Sequence, residues 1–104
     1  MLNQIILVGR LVNEPTIEAL EDGRKRSEIT LAVNRQFKNA EGKYETDFVP
    51  VTLYEGIAEN TAEYCHKGDV IGVKGRLEFK EDKLIAIAEK VTFLSSKSPK
   101  EDAE

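Results

Sequence analysis

"EITLAVNRQFKNAEGKYETDFVPVTLY", residues 28–54, contains two runs in which apolar and polar side chains alternate. In the first, Ile29, Leu31 and Val33 stand against Glu28, Thr30 and Ala32. In the second, Val49, Val51 and Leu53 stand against Phe48, Pro50, Thr52 and Tyr54. A period of two with one apolar side marks a strand half-buried on a core, so the passage reads as two strands around a polar turn. It also carries rings at Phe37, Phe48 and Tyr54 and cations at Arg35, Lys38 and Lys43. The same period puts Phe48 and Tyr54 on the side away from the core, where a large ring has no packing duty. Strict alternation assigns Phe37 to the core side, unless the strand has bulged or left the body by then.

The flanking sequence supplies the rest of the body. Before the hairpin, "QIILVGRL" (residues 4–11) is an apolar run whose Gly9 signals a bulge or sharp bend. It offers two apolar faces, Ile5 with Leu7 and Ile6 with Val8. One barrel needs only one of them, so the surplus face is expected at a subunit contact. After the hairpin, "EGIAENTAEYCHKG" spaces Ile57, Ala58, Thr61, Ala62, Tyr64 and Cys65 as a helix, with Glu59 and Glu63 outward and Gly68 as its stop. "DVIGVKGRLEF" then alternates Ile71, Val73, Leu77 and Phe79 against Lys74, Arg76 and Glu78, and the turn "KEDK" leads into a last strand, "KLIAIAEKVTFL".

Three strands, a helix and two more strands cannot cover both faces of a flat sheet in so small a chain. Closure into an all-β, five-stranded barrel, with the helix between strands 3 and 4 plugging one end, is the economical solution. This is the oligonucleotide/oligosaccharide-binding (OB) plan. The chain's 104 residues suit one domain, expected over 1–94, followed by a short polar and acidic tail over 95–104.

Composition narrows the functional classes. The chain is acidic overall, with a net charge of −4, whereas polyanion binders are usually basic. Distribution counters the sum: from Arg24 to Lys43, six cations face only Glu28 and Glu41, a surplus of four, and the acid lies on either side. No apolar run approaches the roughly 20 residues of a membrane span, and "MLNQIILVGR" lacks the pattern of a signal peptide. The single Cys65 forbids an internal disulfide and fits a buried packing role in a reducing, cytoplasmic compartment. Enzymatic readings find little support. His66 at the helix end is explained by the helix dipole, and Cys65 beside it has no third partner at catalytic spacing. Neither a metal-ligand cluster nor a phosphate loop is spelled out, so no cofactor is expected.

Rings interleaved with cations suit single-stranded nucleic acid, because bases stack on rings while Lys and Arg neutralise phosphates. "MLNQIILVGRLVNEP", "ITLAVNRQF", "TDFVPVTLYEGIAENTAEYCHKGDVIGVKGRL" and "EKVTFL" resemble the bacterial and phage single-stranded DNA-binding protein family, in order, over about residues 1–94. The resemblance implies a homotetramer, a dimer of dimers, that coats single strands in replication, recombination and repair. It places stacking rings at Phe37, Phe48 and Tyr54 and basic contacts at Arg10, Arg35, Lys38, Lys74 and Arg76, to which Lys43 of the same hairpin is added. The chain departs from the family in having no tryptophan. It also has only a tight turn where a long finger often stands, so that Phe79 and Lys80 replace the finger in part. The end, "SSKSPKEDAE", has acid without the apolar tip that recruits repair proteins. The alternatives are a primosome-type barrel whose rings serve a protein partner, and an RNA-binding barrel of the same plan.

Overall fold

A computed structural model describes residues 1–95; the expected tail beyond Ser95 lies outside them. The long strands are β1 (Ile5–Leu11), β3 (Lys25–Lys38), β4 (Tyr44–Tyr54), β5 (Val70–Lys80) and β6 (Lys83–Ser95). A two-residue strand that the sequence pattern did not announce, β2 (Glu18–Ala19), pairs with Arg26 and Lys25 of β3. One helix, α1 (Glu55–Tyr64), lies between β4 and β5.

The barrel closes because β1 pairs twice. Residues Ile5–Arg10 run antiparallel to β5, while Arg10 and Leu11 also pair with Ala32 and Leu31 of β3. The circuit continues through β3–β4 and β5–β6 and is completed by a short parallel pairing of Val51 and Thr52 with Ala86 and Ile87. The result is a closed, mixed five-stranded barrel, as the pattern of strands predicted. Register with β5 runs through Gly9 without a shift, so no bulge forms on that side. The glycine answers to close approach instead: a Cβ there would stand 2.7 Å from the Ala32 carbonyl oxygen.

The core holds the side chains that alternation assigned to it. Leu11, Ile29, Leu31, Val51, Leu53, Ile71 and Val73 are buried, together with Ala86 and Ala88 of β6 and Ala58 and Cys65 of the helical segment. Burial pushes the Cys65 thiol up to about 11, so it packs as an inert small hydrophobe. Gly68 is not the helix stop. Cys65 already leaves the helix in an extended conformation, and Gly68, at φ +97°, belongs to the turn that delivers Asp69 to β5. Pro50 sits where β4 has an open side, since β4 meets β6 only at Val51 and Thr52.

Both long hairpins outrun the barrel. The pairing of β3 with β4 slips by two residues between Asn34 and Lys38, and the strands continue to a turn at Asn39–Lys43. There the Asn39 carboxamide oxygen accepts hydrogen bonds from the amides of Glu41 and Lys43, at 2.9 and 3.0 Å. The β5–β6 hairpin ends in a two-residue turn, Glu81 and Asp82, both with positive φ (49° and 63°).

Candidate nucleic-acid interface

A strand that continues past the barrel loses the distinction between an inner and an outer face, so apolar residues that would be core become surface. This decides Phe37. Its parity matches Ile29, Leu31 and Val33, yet its side chain is 81% exposed because it lies within the slip in register between Asn34 and Lys38, where β3 leaves the barrel. Phe79 repeats the effect on β5, sharing parity with Ile71 and Val73 but standing 70% exposed opposite Leu84. Phe48, on the outer side of β4, is 64% exposed, as alternation required. The ring at Tyr54 is only half-buried in solvent terms, and the Arg24 guanidinium lies 5.4 Å from its centroid.

One ring escaped the sequence reading. Tyr44 is exposed, pairs across the hairpin with Lys38, and carries the Lys38 ammonium 5.8 Å from its centroid. Its signal was present, because Tyr44, Thr46 and Phe48 continue the outer parity of β4 toward the turn. Cross-strand pairing also sets Arg10, Ala32 and Phe48 in one row over β1, β3 and β4. Arg10 donates to the Gly68 carbonyl at 2.6 Å.

The cations divide into two kinds. Arg35 is held by two carboxylates: its Nε and Nη2 donate to Asp47 at 3.1 and 3.0 Å, and its Nη1 lies 3.0 Å from Glu45. Arg76 is held likewise by Glu78 at 2.7 Å and Glu89 at 3.1 Å, and Lys80 stands 4.0 Å from Glu78. The hydrogen bond from Arg35 holds the Asp47 carboxyl below its ordinary value, and the reciprocal bond raises Arg35. By contrast, Lys38, Lys43 and Lys74 are exposed and make no ion pair among the described residues. Lys74 is set apart from the rings, in a row with Ile6 and Lys90. The four-charge surplus of residues 24–43 therefore does not survive folding, because Asp22, Glu59, Glu18 and the Glu45–Asp47 pair neutralise Arg24, Lys25, Arg26 and Arg35.

The β3–β4 hairpin thus displays Phe37, Tyr44 and Phe48 together with Lys38 and Lys43, on open surface and not in a pocket. A groove of about 490 Å³ between α1 and β6, lined by Ile57, Thr61, Tyr64 and Phe93, shares no residue with that surface. The family model of the single-strand binding protein family matches residues 2–84. The chain belongs to that family. Within the family, it is 50% identical over 78 residues to the single-stranded DNA-binding protein B of Bacillus subtilis, covering 75% of this chain and 69% of that one. Among solved structures, the single-stranded DNA-binding protein of Thermus aquaticus superposes with a TM-score of 0.78 at 26% identity. The match takes in 92% of this chain and 52% of the Thermus chain, so this chain spans about half the length of that relative. A Plasmodium falciparum SSB in complex with ssDNA superposes with a TM-score of 0.77 at 28% identity, over 91% of this chain and 96% of its own. The barrel expected from strand pattern is thereby the barrel of the family's solved members.

Proposed function

We propose that this chain is a sequence-tolerant single-stranded DNA-binding protein without catalytic activity. Three exposed rings, Phe37, Tyr44 and Phe48, on one hairpin with the unpaired Lys38 and Lys43 carry this reading. Bases stack on such rings whatever their identity, and the lysines neutralise the phosphates between them, so affinity is high and sequence preference low. Arg10, in the row of Phe48, extends the cationic track from the hairpin onto β1. Phe79 at the second hairpin adds one further platform. The role follows from the chemistry: coating and protecting single strands exposed in replication, recombination and repair, in the cytoplasm.

The active form is a homo-oligomer, a tetramer built from dimers. Support comes from β1, whose Ile5 and Leu7 pack toward the core while Ile6 and Val8 stand 69% and 53% exposed beside Leu94. That apolar face is covered by a second copy of the chain.

Titration of a labelled oligothymidine, its duplex and the matched RNA tests the function. Tight binding to the single-stranded DNA that weakens steeply with salt is expected. Preference for RNA, or no binding to any of the three, overturns the proposal, the latter in favour of a protein partner for the rings. A mass measurement showing a monomer at micromolar concentration overturns the assembly.

A further inference from the structure

An arginine meets a phosphate through the same fork of donors that it offers a carboxylate. At both hairpins that fork is already taken. Asp47 and Glu45 occupy the Nε, Nη1 and Nη2 of Arg35, and Glu78 with Glu89 occupies the two Nη of Arg76. The Arg35 cluster holds one positive and two negative charges, so it repels a phosphate where the arginine alone would attract it. The Arg76 cluster, with Lys80 4.0 Å from Glu78, is brought to balance, so its arginine attracts a phosphate less than it would alone.

The carboxylates reach these positions through specific pairings. Asp47 is the cross-strand partner of Val33, and Glu45 follows it toward the turn, which brings both beside Arg35 where the β3–β4 register slips. Glu89 lies at the one-residue slip in β6 between the partners of Lys74 and Gly75, and reaches across to Arg76. Lys38 and Lys43 of the first hairpin carry no such clamp among the described residues, while Lys80 of the second stands 4.0 Å from Glu78.

The geometry points to Glu45 with Asp47, and Glu78 with Glu89, as competitors of the DNA phosphates for Arg35 and Arg76: internal anions that lower the affinity of the single-strand site and flatten its response to salt. The inference rests on the single-strand reading above. Surface ion pairs contribute little to stability, so a phosphate can replace a carboxylate, but the displaced carboxylate then takes up a cation from solution. An arginine that exchanges one anion for another releases no net counterion. The salt dependence is left to Lys38, Lys43 and Arg10.

The test uses charge-neutral isosteres in the full chain. Binding of a labelled oligothymidine is followed by anisotropy between about 50 and 500 mM salt for Glu45→Gln/Asp47→Asn and for Glu78→Gln/Glu89→Gln. Glu21→Gln/Glu63→Gln, which changes the net charge equally at exposed carboxylates away from both clamps, is the control, and thermal unfolding is recorded for every variant. Each clamp variant is expected to bind severalfold more tightly than the control at low salt, with its log–log salt slope steeper by about 0.7 per freed arginine. Equal behaviour of clamp variants and control, with folding intact, overturns the inference. So does weaker binding, which would make the carboxylates supports that aim the arginines. A wild-type chain that does not bind the oligomer overturns the single-strand reading itself.

Discussion

The β3–β4 and β5–β6 hairpins share a plan and differ in use. Both outrun the barrel, both expose a phenylalanine whose parity belongs to the core, and both hold an arginine between two carboxylates. The first ends in a five-residue turn organised by Asn39 and displays three rings and two unpaired lysines. The second ends in a two-residue turn of strained residues, displays one ring, and is fastened to the barrel at Gly75, where a Cβ would meet the Ile87 carbonyl. The difference teaches that reach past the core creates the exposed, ring-bearing surface, while the residues on the overshoot decide how much of it is attractive to a polyanion.

The largest effect expected concerns the fastening. Gly75→Ala should cost about 3 kcal/mol of stability, since the close strands must separate to admit a methyl group. Gly42→Ala, in the first hairpin's open turn at φ +79°, should cost only about 1 kcal/mol. Equal losses in chemical denaturation would erase this contrast.

The rings come next. Phe37→Ala and Phe48→Ala should each cost about 1–3 kcal/mol in affinity for single-stranded DNA and leave thermal unfolding nearly unchanged. Phe79→Ala should cost less than either. If Phe37→Ala lowers stability by about 3–5 kcal/mol, its ring is core and the overshoot is not what exposes it.

A finer contrast lies among the cations. Lys38→Ala and Lys43→Ala should each flatten the salt slope by about 0.7, whereas Arg35→Ala, already neutralised, should leave it almost unmoved. A larger loss of slope from Arg35 than from Lys38 would reverse the assignment. Smallest is Asp82→Gly, expected to raise stability by about 0.5 kcal/mol by relieving a left-handed residue in the second turn.

Much of this architecture was legible beforehand, for physical reasons that can be named residue by residue. Alternation is a local property, so the core positions Ile29, Leu31, Val51, Leu53, Ile71 and Val73 could be read from spacing alone. The outward Phe48 followed from the same rule, and so would Tyr44 have, had the strand been extended toward the turn. Where alternation failed, at Phe37 and Phe79, the cause was not local: a side chain is core only if a barrel stands beneath it, and strand length relative to the barrel is a tertiary quantity. The helix ends before the expected stop at Gly68: Cys65 is already extended, with its side chain buried in the core.

The amino-acid sequence by itself determined the kinds of element, their order, the residues that must be buried and the chain's family. The first three follow from short-range periodicity and residue chemistry, and the family from the resemblance of spaced segments to its members. Only the tertiary structure decided which charges are available. Along the chain the cations of residues 24–43 form a block, but antiparallel pairing sets Glu45 and Asp47 against Arg35, and the packing of α1 brings Glu59 to Lys25. Coulomb attraction acts over a few ångströms of space and is indifferent to sequence distance, so net attraction for a polyanion was fixed by which strands became neighbours.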